Sequence, residues 1–219
     1  MPTGLLRVLF DRPSSLSDAD FHAWRQGAFS QLPGVYGVDI LTATDKVEDA
    51  KPYRYENSYH IEDTSLISDD LIRSLLPAEK GTNSPGKVDF HLYERIAFNK
   101  RDDIEPRQRP VGSVVITAGM SPIETEEVIK DFYAWYQEEH MPILRDVPGW
   151  RTGSRYKLVT TFGDNAEFAS PYVAIHVYNP ENGLGGEQWS KSIQSPWTKK
   201  VVSRLAAPSH RRVWKLEVS

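Results

Sequence analysis

The sequence predicts an α+β protein made of two ferredoxin-like βαββαβ repeats that pack as a single-chain, pseudo-dimeric α+β barrel. Three observations predict it. Strand-type and helix-type segments follow the order βαββαβ twice, a charged stretch containing proline separates the two runs, and short marker sequences recur in the same order in both.

The first repeat is expected over residues 1–98. Leu5 to Phe10 reads as a strand, and Ser17 to about Gln31 as a helix in which Ser17 and Asp20 have the spacing of a cap and its reciprocal acid. Val35 to Thr42 and Tyr53 to Glu62 carry β-branched and aromatic residues with period-two stretches, and the polar Thr44 to Lys51 joins them as a hairpin. A helical pattern spans Ser65 to Leu76, a Gly/Asn/Ser/Pro loop covers Gly81 to Gly86, and Val88 to Phe98 is a strand. Residues 99–111 have the composition of a linker. The second repeat, 112–219, starts with the strand Ser113 to Ala118. Ser121-Pro122-Ile123-Glu124 predicts a helix start, with cap, proline and acid in sequence, and the helix should run to about His140. Val147-Pro148-Gly149 is a turn, Arg151 to Thr160 and Tyr172 to Tyr178 are strands, Glu187 to Leu205 is broadly helical, and Arg211 to Val218 is the last strand. The glycine-rich Gly183-Leu184-Gly185-Gly186 follows no phosphate-binding strand pattern and reads as a turn.

The markers are Phe21-His22-Ala23-Trp24 ahead of Leu32-Pro33-Gly34, and Phe132-Tyr133-Ala134-Trp135 ahead of Val147-Pro148-Gly149. The second copy is longer between its marks by about four residues, roughly one helical turn. A further pair, Tyr59-His60-Ile61 and Ile175-His176-Val177, sets His60 against His176. A four-stranded sheet with helices on one face leaves the other face to be buried, and a second copy can cover it. In Tyr172 to Tyr178 the faces separate: Val173, Ile175 and Val177 form an aliphatic side suited to the inter-sheet core. Tyr172, Ala174, His176 and Tyr178 form a mixed side that should look toward the repeat's own helices, so a pocket is expected between sheet and helices.

Composition narrows the function classes. With 39% hydrophobic and 26% charged residues the chain has the balance of a folding globular protein rather than a disordered one. The absence of cysteine removes disulfides, thiolate nucleophiles and thiolate metal sites, and no metal site is expected. A formal charge of −4 with scattered Lys and Arg argues against a nucleic-acid partner. No apolar run is long enough to span a bilayer and no leader pattern opens the chain, so a cytoplasmic protein with no membrane partner is expected. H-E-x-x-H, Walker and G-x-S-x-G patterns do not occur, which removes metalloprotease, P-loop and serine-hydrolase readings.

The most specific text is Trp135-Tyr136-Gln137-Glu138-Glu139-His140-Met141-Pro142, followed by Val147-Pro148-Gly149-Trp150 and later by Ser195-Pro196-Trp197-Thr198 and Trp214. It resembles the dimeric α+β barrel superfamily, and within it the EthD-like branch, with its W-Y-x-x-E-H-x-P stretch and later P-G-W. The resemblance covers the second repeat and reaches the first only through the internal echo. It implies an enzyme of secondary, polyketide or aromatic metabolism that works without a cofactor: a cyclase, decarboxylase or other lyase, an isomerase, or a quinone-forming monooxygenase. Some members of the superfamily bind haem, for which His140 or His176 would be the axial ligand here, although the chain lacks a haem-attachment motif. Many members are homodimers of one repeat, so this chain would be a monomer as a pseudo-dimer or a further homodimer.

On chemistry alone, His140 is the leading acid/base candidate, because imidazole titrates near neutrality and this one ends a helix just before Pro142. The alternative is a surface or helix-capping histidine. If the length difference falls after it, Phe29 takes its place in the first copy, which points to the second repeat as the working one. His176, mid-strand on the mixed face, needs a partner or a substrate, and a satisfied core histidine fits equally. Tyr136 shares a helix face with His140 and can donate to a carbonyl. Arg155 can hold a carboxylate or stabilise an enolate, against the plainer reading of an outward strand arginine. Trp135, Tyr172, Trp197 and Trp214 can form flat walls for an aromatic substrate or simply fill the core. His60 and His91 mark a second possible pocket in the first repeat.

These residues support three readings. The leading one is a cofactor-independent enzyme that moves a proton on an aromatic or polyketide-like carbonyl compound. The others are a cofactor-free monooxygenase of aromatic anions, and a non-catalytic binding protein that shelters an unstable intermediate.

Overall fold

Eight strands, β1 (Gly4–Phe10), β2 (Val35–Ala43), β3 (Tyr55–Ile61), β4 (Val88–Lys100), β5 (Val114–Pro122), β6 (Trp150–Gly163), β7 (Tyr172–Tyr178) and β8 (Leu205–Val218), close into one barrel. Its order is β1-β3-β2-β8-β5-β7-β6-β4, and every neighbouring pair is antiparallel. The structure, a computed structural model, describes residues 3–12, 14–27, 31–47, 52–75, 88–106, 108–163 and 168–218. The fold is the α+β barrel that the sequence predicts. Each half of the chain supplies four adjacent strands, and two seams join them: β4 with β6 over Asp89 to Lys100, and β2 with β8 over Ile40 to Ala43. Closure removes the four sheet edges that two separate repeats would expose.

Helices α1 (Asp18–Gly27), α2 (Asp69–Leu75), α3 (Glu126–Trp135), α4 (Met141–Arg145), α5 (Glu187–Gln194) and α6 (Pro196–Val202) accompany the barrel. On the first repeat, the outward residues Leu6, Val8 and Phe10 of β1 pack with Phe21, Ile72 and Tyr59. On the second, Ile116, Met120, Ala174 and Tyr178 pack with Phe132, Trp135, Met141 and Leu144. The strand alternation then turns Val173 and Val177 inward, with Ile175 partly buried beside them, where they meet Leu5, Leu9, Leu41, Val115 and Leu216.

The interior is not uniformly oily. Inward positions of the first repeat carry Arg7, paired to Glu56 at 2.6 Å, Ser58, which donates to Glu56 at 2.5 Å, and Asp89, which accepts from Tyr53 at 2.6 Å. His60 and His91 stand on this side too, so they face the barrel axis rather than the helix layer. The reason is register. Phe10 pairs with Tyr55 and Met120 with Tyr172, which sets Tyr59, not His60, in the place of His176. The sequence echo there is one residue out of phase, and a one-residue slip in a strand reverses every face.

Element ends also differ from expectation. Ser121 and Pro122 continue β5, opposite Ala207 and Leu205, and the cap that starts α3 is Thr125, whose Oγ1 accepts from the Val128 N–H at 3.3 Å. A proline closing a strand costs no ladder bond that its missing N–H could have made. The Glu187 to Leu205 segment breaks into two helices at Ser195-Pro196, where Ser195 Oγ accepts from the Thr198 N–H at 2.9 Å. The final strand begins at Leu205, and β6 runs to Gly163. The Ser65 to Leu76 pattern resolves into a 3-10 turn, Thr64–Leu66, and α2. Phe29 and the Gly81 to Gly86 loop lie outside the described residues.

Candidate active site

The helix that carries Trp135, Tyr136 and His140 does not stop at Pro142. A proline there has no N–H and its ring crowds the carbonyl four residues back. The chain responds with a π-helical turn over Tyr136–His140, in which the Met141 N–H donates to Tyr136 O, five residues back, before α4 continues to Arg145. A π turn brings residues five apart onto one face, and such turns gather at functional sites. Trp135 and His140 accordingly lie with ring centroids 4.3 Å apart at 31°, while Tyr136 meets His140 edge-on at 5.3 Å.

His140 is buried, and its Nδ1–H donates to the Ser192 carbonyl at 3.2 Å, since a carbonyl can only accept. That contact fixes the tautomer and leaves Nε2 with its lone pair. Burial pushes the imidazole down to about 4, against the smaller raising effect of the Ser192 bond. The ring is therefore neutral at physiological pH, with a free lone pair of modest basicity. His176 lies on the same side of the sheet and is also buried. Trp150 Nε1–H donates to its Nδ1 at 3.4 Å, so the proton of this neutral ring sits on Nε2. Burial, then His140, then Arg155 push its pKa down to about 3. Gly153, directly across the ladder, makes room for it: a Cβ there would stand 2.9 Å from His176 Nδ1 and 2.8 Å from Met141 Cε.

Arg155 is half-buried and turned toward α3, not outward to solvent. Its guanidinium carbon stands 4.8 Å from the Tyr136 ring centroid and 5.6 Å from that of Tyr133. No carboxylate among the described residues pairs with it, and its Nε and Nη1 are buried without a hydrogen-bond partner. Burial lowers its pKa, with Tyr136 and Tyr133 opposing. An unpaired buried cation of this kind is a standing demand for an anion. It borders a narrow cleft lined by Met120, Phe132, Tyr136, Arg155, Tyr172 and Ala174. About 200 Å³ of space lies between these walls, yet only about one water-sized sphere can settle in it, so a ring-sized guest must part the walls. Tyr133 and Tyr172 meet edge to face at 5.9 Å and are partly exposed.

The structure thus gathers His140, His176, Tyr136, Arg155, Trp135 and Tyr172 into one layer between the second repeat's sheet and α3. Tyr136, Arg155 and Tyr172 line the cleft itself. Trp135 is fully buried and ties α3 to α6 by donating to Thr198 Oγ1 at 3.0 Å, so it supports the layer without walling the cleft. Trp197 sits farther out on α6 and donates to Asp131 at 3.1 Å. Trp214 is not in this layer. It points into the barrel among Leu41, Val115 and Val177, with its N–H on Thr117 Oγ1 at 3.0 Å, because its strand position has inward parity. Sequence reasoning passed over Tyr133, although it stands in the recurring Phe-x-Ala-Trp text. It also passed over Gly153 and Ser192, whose roles are a clearance and a backbone carbonyl and so leave no chemical mark in the sequence.

The first repeat does not repeat this constellation. By strand register Ile40 stands where Arg155 does, Tyr59 where His176 does and Val38 where Gly153 does. Its helix layer holds instead the buried Arg25, whose Nε lacks a partner but whose terminal nitrogens donate to the Leu41 carbonyl at 2.7 Å and to the Glu217 carboxylate at 3.0 Å, so that this cation, unlike Arg155, is neutralised. Among the described residues no cluster of three or more His, Asp or Glu side chains is placed to hold a metal ion, and no helix is long and apolar enough to cross a membrane.

The chain's shape has known counterparts. It superposes on an anthrone oxidase-like protein with a TM-score of 0.58 at 14% identity, over 98% of this chain and 91% of that one. Monooxygenase-like proteins of Lactobacillus acidophilus and Fusobacterium nucleatum superpose with TM-scores of 0.57 and 0.60, at 9% and 8% identity. These cover 100% and 99% of this chain and 95% and 93% of the other. At such identities the likeness establishes the dimeric α+β barrel fold, shared along the full length. No protein-family model matches the sequence, and no curated protein does.

Proposed function

We propose that the chain is a cofactor-independent small-molecule enzyme that forms and holds the anion of an aromatic enol or phenol in the second-repeat cleft. The observation that carries the proposal is Arg155, a buried guanidinium with two unpartnered nitrogens beside tyrosine and phenylalanine walls. Aromatic faces accept a flat substrate, and the guanidinium lowers the energy of the oxyanion that forms when a proton leaves. In this reading the His140 lone pair takes the proton, and neutral Tyr136, held above its usual range by burial, donates to the same oxygen. Arg155 narrows the gap between this weak base and the substrate by stabilising the oxyanion as it forms.

The fate of the anion separates cyclase, lyase and isomerase chemistry from oxygenation. The fold relatives described as anthrone oxidase-like and monooxygenase-like favour the second. In that reaction an anthrone anion combines with O2, one oxygen atom remains as the new quinone carbonyl, and the other leaves as water. The substrate would come from secondary, polyketide-type metabolism, as the EthD-like text of the second repeat also implies.

The test is oxygen uptake and quinone absorbance with an anthrone, against the uncatalysed rate. Enzyme-dependent uptake of one O2 per quinone supports oxygenation. Conversion of a carbonyl substrate without O2 consumption returns the reaction to the acid/base class. Arg155→Met should lower turnover by at least a hundredfold and His140→Ala by at least tenfold. Less than a threefold effect of His140→Ala removes that residue from the mechanism. Tight binding of an aromatic anion with no change in its rate of conversion would leave a sequestering protein instead.

A further inference from the structure

The barrel interior holds a second cavity that the reading above does not use. Around it stand Leu5, Leu41, Val115, Ile175 and Val177 as an aliphatic wall, and Ser58, Thr117, Thr152 and Ser154 as hydroxyl groups. At one end lies a three-residue cluster. His60 Nε2 meets Asp39 Oδ2 at 2.8 Å, and Arg109, reaching in from the segment between the repeats, donates to the same carboxylate oxygen. The His60 and Asp39 side chains are mostly buried, as is that of Arg109. Burial raises the Asp39 carboxyl, but His60 and Arg109 outweigh it and hold the group below its usual range.

Such a cluster is an odd filling for a barrel core, because desolvating three ionisable groups is repaid only with a complete set of partners. One carboxylate oxygen here serves two donor side chains, His60 and Arg109, so donors outnumber the acceptors that face them. The matching inward positions of β7, Val173, Ile175 and Val177, are aliphatic. The space therefore has a charged end and an oily flank, which is the complement of an amphipathic acid. About 350 Å³ lies between these walls, although side chains leave settled room for only about one water. Arg109 is the one member of the cluster that comes from outside the strands. Besides its contacts with Asp39 and His60, its Nε–H donates to the Pro106 carbonyl on its own segment, at 3.4 Å.

We propose that the barrel interior is a second small-molecule site, taking a short aliphatic carboxylate whose head binds Arg109 and His60 and whose chain lies against Leu5, Leu41, Ile175 and Val177. Arg109 then serves as both gate and anchor, swinging aside to admit the ligand and returning onto its carboxylate.

The test uses the full chain with 13C-labelled Leu, Val, Ile, Met and Ala methyl groups, titrated with sodium hexanoate and, in parallel, 1-hexanol. The expected result is saturable movement of the Leu5, Leu41, Ile175 and Val177 methyl signals by hexanoate, with at least tenfold weaker binding of hexanol. Arg109→Met should weaken hexanoate at least tenfold, and Arg109→Lys, which keeps the charge, should restore most of the affinity. Unmoved barrel signals, or equal affinity in wild type and Arg109→Met, overturn the proposal. Movement confined to Met120 and Ala174 also overturns it, while reporting occupancy of the Arg155 cleft. Failure of oxygen uptake or acid/base turnover in the cleft leaves these barrel signals unaffected, so the two readings fall separately.

Discussion

Replacing Arg155 by Met should weaken anion binding without weakening the fold. In the ligand-free protein Nε and Nη1 are buried and unbonded. Each such group costs about 1–3 kcal/mol. Against that, the guanidinium gains from the Tyr136 face at 4.8 Å and the Tyr133 face at 5.6 Å, about 0.5–2 kcal/mol at partly desolvated sites. Methionine keeps most of the apolar stem and removes both orphans. The folded state should then be unchanged or more stable by up to about 5 kcal/mol, where each kcal/mol moves the melting temperature of a chain this size by about 2–4 °C. An anion that takes two charge-assisted hydrogen bonds from the guanidinium gains about 1.5–3 kcal/mol from each, so its loss should cost about 10²- to 10⁴-fold in affinity. 4-Nitrophenol reports this directly, because its anion absorbs in the visible. Bound to the wild type it should ionise at lower pH than in water, and bound to Arg155→Met at higher pH. A melting temperature lowered by more than about 5 °C in Arg155→Met, or identical ionisation of the bound phenol in both proteins, would refute the reasoning, since Arg155 would then be a structural residue satisfied by other means.

Other perturbations have equally definite signs. His140, His176 and His91 have folded-state pKa values depressed to about 4, about 3 and about 3 by burial, whereas the unfolded chain binds their protons near 6.5. Their contribution is complete above that pH and is lost as pH falls toward 4, by about 1 kcal/mol for each ring between pH 7 and 5.5. Urea unfolding at the two pH values should show a drop of about 3 kcal/mol, and equal stability would place these rings in water. Gly153→Ala sets a methyl 2.9 Å from His176 Nδ1 and should displace that ring from Trp150, costing about 1–3 kcal/mol and shifting the His176 ring resonances in NMR spectra. Unchanged His176 signals would contradict this packing. Trp214→Ala should destabilise by about 3–5 kcal/mol while leaving 4-nitrophenolate affinity within twofold, because Trp214 fills the barrel and not the cleft. A selective loss of affinity at constant stability would move Trp214 into the site.

How far the site could be read before folding depends on the residue. Tyr136 and His140 were legible because their spacing on one helix brings them together wherever the helix goes, and the π turn at Pro142 only adds Trp135 to the same face. Arg155 was the reverse case. In the sequence it is one more strand arginine, and what distinguishes it is that no carboxylate among the described residues comes near it. The repeat comparison worked for the helix markers and failed in the strand, where His60 and His176 look equivalent but point to opposite faces. Identity over three residues does not fix a register that a single bulge or loop residue can shift.

The order of elements, the doubling of the unit, the separation of an aliphatic from a mixed face in Tyr172 to Tyr178 and the clustering of chemistry on the second repeat's long helix were determined by sequence alone, because each follows from local periodicity and neighbouring residues. The two seams that close the barrel, the inward facing of Trp214 and His60, the unpaired state of Arg155 and the meeting of Arg109 with Asp39 were decided only in three dimensions. Those features depend on which distant strands share hydrogen bonds and on which charges end up without a partner. Neither is a property of any short segment, since both arise when burial forces remote residues to satisfy, or leave unsatisfied, one another's polar groups.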